Sequence, residues 1–183
     1  MSHSIPSHDE LVEAIATAAG RAFRDLFAQH PGHFYYVSLI TTGEAHAPVI
    51  AAWSEESLAA VASSSHDPHD ALHYLKWSYA ESPFYCYGEQ YFDRVNQLFA
   101  DRPDIHSLED AARDIEYAAR LNAMESAMQR LDAQGLFGEG VRRHQIVIHV
   151  EVMPPDYTNT LRALRLNPPE SLSAWLAEAA EPL

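Results

Sequence analysis

The chain has a single cysteine, Cys86, so it can form no intrachain disulfide and no zinc ribbon. Cations are also scarce. Lysine and arginine total 12 against 26 aspartates and glutamates, a formal net charge of −14. Nucleic-acid binding depends on lysine and arginine neutralising phosphates, so that class is set aside. Long apolar runs are missing too: "APVIAAW" is the longest, far short of the ~20 residues that span a bilayer. The opening "MSHSIPSHDEL" has neither a basic segment nor an apolar core, so no secretory leader is expected. A cytoplasmic location with no membrane association follows as the expectation.

What is present reads as one globular domain over residues 1–183, with 47% apolar and 21% charged residues. Ser7 and Glu10 have capping-box spacing ahead of an apolar stripe that runs through Leu11, Ile15, Ala18, Ala22 and Leu26, closed by Pro31-Gly32. "HFYYVSLITT" and "APVIAAW" read as strands, and Ser54 as the cap of a short helix. A long helix of about 28 residues, ~42 Å at 1.5 Å per residue, is predicted near 107–134, with Ser107 and Asp110 as its start signal. "HQIVIHVEV" alternates, placing Gln145, His149 and Glu151 on one face, as on the solvent side of an antiparallel strand. "MPPDYTN" reads as turn residues, and a last helix is expected over Pro169 to Ala180. The expected architecture is α+β, a small, mostly antiparallel sheet covered by several helices.

Three glycines in "LDAQGLFGEG" raise the question of a phosphate loop. A P-loop or Rossmann turn runs strand, glycines, helix, so that a helix N-terminus faces the anion. Here the order is helix, glycines, strand, and there is no Gly-Lys-Ser/Thr. The helix end beside the glycines carries carbonyls, which repel anions. Gly135 therefore reads as the left-handed C′ residue of the long helix, with Leu136-Phe137 plugged behind it.

The same segment, "LDAQGLFGEGVRRHQIVIHVEV" before "LNPPESLSAWL", carries a resemblance, together with "FYYVSLIT", "LKWSYAESPF" and "YFDRVNQLF". In their order these stretches resemble the bacterial domain-of-unknown-function family numbered 4303 (DUF4303), with its Arg/Lys-Trp-Ser turn and Phe-x-x-Val-Asn helix, over roughly Leu11 to Trp175. That family is similar in size and cytoplasmic character to immunity partners of bacterial polymorphic toxins. The resemblance implies a cytoplasmic binding protein and carries over no catalytic residue.

Candidate chemistry is sparse. In "HDPHDALH", His66, His69 and His73 stand at spacings of three and four, and two of them would fall one turn apart on a helix, as ligands of one zinc would. The segment is polar and has no HExxH glutamate, so it reads first as a solvated loop. His149 and Glu151 could form an acid–base pair if they lined a cleft. Cys86 has no adjacent cation to activate it. Between Tyr74 and Phe92 aromatics crowd together; Tyr79, Tyr85 and Tyr87, rimmed by Glu81 and Glu89, suit a contact surface for a basic protein, while Trp77, Phe84 and Phe92 suit the core. The expected function is a non-enzymatic, immunity-type protein that occludes a cognate basic toxin and needs no cofactor. The alternatives are a small metal enzyme on the histidine cluster and an oligomeric structural or regulatory subunit; homo-oligomerisation stays open.

Overall fold

The computed structural model describes residues 5–182. Helix α1 (His8–Gln29) leads into strand β1 (Phe34–Thr42), β2 (Val49–Ser54), α2 (Glu55–Ser63) and α3 (Pro68–Leu75). Then come α4 (Asp93–Ala100), the long α5 (Asp110–Ala133), β3 (Val147–Met153), α6 (Tyr157–Leu166) and α7 (Pro169–Glu178). The fold is α+β. Its three strands lie in the order β2-β1-β3, with β1 antiparallel to β2 and parallel to β3. The sheet is therefore mixed, with one ladder of each kind. A short turn dictates the hairpin, whereas the long helical excursion between β2 and β3 lets the last strand re-enter in parallel.

Local signals place most elements. The Ser7–Glu10 capping box forms at the start of α1, and Ser54 caps α2 reciprocally with Ser57. α5 begins one turn later than its sequence signal. Ser107 instead closes a 3₁₀ turn, and Glu109 occupies the cap. Its end is a Schellman motif: Leu136 N–H donates to the Leu131 carbonyl at 3.2 Å and Gly135 N–H to Asp132 at 2.8 Å. Gly135 has φ +75°, and Phe137 is buried with its ring edge on Phe23. The glycine segment is a joint. Beyond it, Arg143 is buried and fastens three elements, bonding Asp132 at 2.5 Å, the Ile146 carbonyl at 2.8 Å and the Leu166 carbonyl at 3.0 Å.

Both faces of the sheet are covered. Val37, Leu39, Ile50, Ala52, Ile148 and Val150 pack against α1 and α5 in the main core. On the opposite face, Tyr36 and Trp53 meet α2 and α3, and Val147 meets α6 and α7; Trp77 packs against both groups. The α1–α5 side is cross-linked by Glu116, which is buried and holds Arg102 at 2.6 Å and Arg120 at 2.7 Å. Those guanidiniums also reach the carbonyls of Pro6 and Pro103. Burial acts to raise the Glu116 pKa, but the two arginines win and hold it below the ordinary carboxylate value.

Both sheet edges are engaged by groups that belong to no strand. Along β3, Asn167 accepts from Ile148 N–H (2.9 Å) and donates to its carbonyl (2.7 Å), and Asn159 does the same for Val152 (2.9 and 3.0 Å). Between them Arg162 Nε donates to the Val150 carbonyl at 3.0 Å. Along β2, Cys86 N–H donates to the Ile50 carbonyl at 2.9 Å and the Ser82 hydroxyl to that of Ala52. Buried backbone polar groups need such partners, and a three-stranded sheet has two edges to satisfy.

Candidate functional site

The aromatic segment is the strip that covers β2. From Ser78 to Tyr91 the chain runs through successive tight turns, with left-handed φ at Cys86 (+59°) and Gly88 (+69°). Phe84 and Phe92 are core residues. Tyr79 and Tyr85 meet edge to face at 5.4 Å, and Tyr85 is 43% exposed. Glu81 and Glu89 are exposed on the same strip. Tyr87 turns the other way, its hydroxyl donating to Gln29 Oε1 at 3.0 Å and its ring against His30. The five sequence-predicted contact residues thus divide: Tyr79, Glu81, Tyr85 and Glu89 stand on the strip, and Tyr87 is engaged with α1. Cys86 is half-buried, and burial raises its thiol pKa, which disfavours a thiolate.

The histidine segment forms the start of α3. Asp67 caps it, accepting from the N–H groups of His69 and Asp70 at 3.0 Å. His69 and His73 fall one turn apart with ring centroids 5.4 Å from each other. His66 lies in the preceding turn. Among the described residues no group of three or more His, Cys, Asp or Glu side chains is placed to hold a metal ion.

His149 and Glu151 are not on a solvent face. Their face of β3 lies under α6 and α7, and the parallel register sets His149 beside Ser38 of β1. Tyr36 donates to Glu151 Oε1 at 2.7 Å. His149 is fully buried, 5.0 Å from the Trp175 ring, and neither of its ring nitrogens has a hydrogen-bond partner. Burial pushes its pKa down to about 3 and that of Glu151 up to about 7, so both groups favour their neutral forms. The pair shares a face as the alternation indicated, yet α6 and α7 close it off, leaving no cleft in which it could meet a substrate. Sequence reasoning missed this cover because Asp156 looked like part of a turn. It is the N-cap of α6, accepting from Thr158 N–H at 2.8 Å.

Charge is unevenly distributed. Lys76, Arg102, Arg113, Arg120, Arg130, Arg143 and Arg165 each form an ion pair with a carboxylate of the same chain. Arg162 is buried against the edge of β3, and Arg21 lies 4.2 Å above the Tyr91 ring. The cations are largely spent inside the molecule, and the acid excess is left on its surface. Among the described residues no helix is long and apolar enough to cross a membrane.

The chain belongs to a family known by its description as a domain of unknown function, DUF4303, whose model matches residues 15–168. The matched region runs from within α1 to the start of α7 and so includes all three strands, the aromatic strip and the glycine joint. No curated protein and no solved structure matches the chain.

Proposed function

We propose that the protein is a non-enzymatic binding protein that occludes a basic partner, of the immunity type that neutralises a cognate bacterial toxin in the cytoplasm. The observation that carries this reading is the charge distribution: cations consumed in internal pairs, carboxylates left exposed. An acidic surface of this kind steers a basic protein and accelerates encounter. The strip over β2 supplies an anchor of fitting chemistry, the exposed Tyr85 against the half-buried Tyr79, rimmed by Glu81 and Glu89. Tyrosines give large contact area at low entropic cost. The burial of the His149–Glu151 pair beneath α6 and α7 supports a binding role over acid–base chemistry.

The test is capture of the tagged chain from its native cells, followed by kinetics with the recovered partner. A stoichiometric basic protein released by salt is expected. Reversing Glu81 and Glu89 to lysine should slow association about tenfold at low salt and less at high salt. Recovery of the chain alone from cells that express its neighbouring genes would defeat the reading.

A further inference from the structure

Two open clefts lie side by side across the N-terminal ends of β1 and β3, and they share Tyr35, Glu55 and Gln145. They form one trough with two lobes. The first, about 640 Å³, is walled by Phe27, Phe34 and Leu136, with Arg142 also lining it. The second, about 480 Å³, is walled by Leu72, Trp77 and Val147, with Glu170 also lining it. Phe27, Phe34, Leu136 and Trp77 are only partly buried, and Leu72 is exposed, so each lobe offers apolar surface to an occupant. The first lobe's volume falls within the range of sites that hold a side chain or small ligand.

The charges along the trough decide what it suits. His33 is taken by Glu56 at 2.6 Å, and Lys76 by Glu178 at 2.8 Å, which also accepts from Trp77 Nε1. Gly32 makes room for the first of these pairs: a Cβ there would lie 2.6 Å from Glu56 Oε2. Glu55 at the junction and Glu170 beyond it are exposed and have no ion-pair partner among the described residues. Arg142, which lines only the first lobe, is exposed and unpaired in the same sense. The trough therefore carries a free carboxylate where its lobes meet and apolar walls in each lobe.

We propose that it holds an extended segment of a basic protein partner, with a large apolar side chain in each lobe and a lysine or arginine between them on Glu55. This deepens the binding-protein reading and rests on it, at a place separate from the tyrosine strip. An extended chain advances about 3.3 Å per residue and turns alternate side chains to one face, so the cation on Glu55 stands two residues from each lobe residue and the lobe residues stand about four apart.

The probe is a library of random peptides about twelve residues long, displayed on phage and selected on the full chain. The expected outcome is enrichment of a pattern in which apolar, basic and apolar residues occupy alternate positions. A fluorescein-labelled copy of the most enriched peptide should then bind in solution and lose about tenfold in affinity in Glu55→Lys at low salt, less in Glu55→Gln. Both variants should retain the wild-type circular dichroism spectrum and Tm. Glu81→Lys/Glu89→Lys should weaken peptide binding far less than Glu55→Lys, and the difference should persist as salt screens the general surface charge. Absence of enrichment, enrichment without a basic position, or binding indifferent to Glu55→Lys would each overturn the proposal. Binding that responds to Glu81 and Glu89 instead would overturn the trough while leaving the tyrosine strip, and the binding-protein reading, in place.

Discussion

Asn167 pairs with Ile148 as a neighbouring strand would: the side-chain amide accepts from the backbone N–H at 2.9 Å and donates to the carbonyl at 2.7 Å. Both backbone groups are buried, and Arg143 steadies the amide through a bond to Asn167 Oδ1 at 3.1 Å. Replacing Asn167 with leucine, of similar volume, strands an N–H and a C=O away from water. At about 1–3 kcal/mol per orphaned group, the expected loss is about 3 kcal/mol of stability. Urea denaturation measures it. Amide exchange at Ile148 should accelerate with it, which a general loosening confined to the far core would not produce.

The buried pair on β3 gives stability two opposing pH dependences. His149 titrates near 6.5 when unfolded and about 3 when folded, so acidification through that interval favours the unfolded chain, which binds the proton more readily. Glu151 titrates near 4.5 unfolded and about 7 folded, so its contribution is fully present below 4.5 and is lost as pH rises toward 7. Between about 4.5 and 6.5 the two slopes oppose each other, and stability should be nearly level. Glu151→Gln should remove the loss above pH 4.5 and reveal a stability that climbs with pH; His149→Leu should do the reverse. Urea midpoints at half-unit steps from pH 3.5 to 8, compared with wild type, give the answer. Parallel curves for wild type and both variants would show that neither group is linked to folding.

Glu116 is expected to be the most costly carboxylate to remove. It compensates both Arg102 and Arg120, Glu116 and Arg120 being buried and Arg102 half-buried. Glu116→Ala leaves two guanidiniums without their anion, a change of about 3–5 kcal/mol. The exposed pair between Glu13 and Arg130 is the contrast, since surface pairs contribute little. Thermal unfolding of Glu116→Ala and Glu13→Ala should separate them by more than about 5 °C; equal shifts would refute the role given to Glu116.

Gly88 turns the aromatic strip onto α1. Its φ is +69°, and an added Cβ would sit 2.8 Å from Ala22 Cβ and 3.3 Å from Ala22 Cα. Gly88→Ala combines left-handed strain of about 1–2 kcal/mol with a clash against helix backbone, so the expected cost is about 2–3 kcal/mol. Gly140, at φ +53° with open space around it, should cost only the strain. If both substitutions shift the denaturation midpoint equally, the strip is not seated on α1 as described.

How much of this could be read from the chain depends on whether the deciding signal was local. The caps at Ser7 and Ser54, the stripe on α1, the strand at Phe34–Thr42 and the C′ role of Gly135 are settled within a few residues, and the structure places them as read. α6 was not legible, because Asp156 and its neighbours serve a turn and a helix N-cap equally well. With α6 unseen, the alternation of His149 and Glu151 pointed to solvent. Which face of a strand is covered is a property of distant segments. The parallel entry of β3 is likewise invisible in its own residues. The aromatic strip was legible as a cluster but not as an edge cover, since the deciding bond, Cys86 N–H to Ile50, uses only backbone.

The borrowed side chains along β3 and the turns along β2 already occupy backbone groups that a foreign strand would need. Pairing by strand addition, the route behind many fibres and swapped dimers, would first require lifting α6 or the 78–91 strip, and with it buried contacts of the core. Recognition at these edges would then fall to side chains, with the backbone of the sheet held apart.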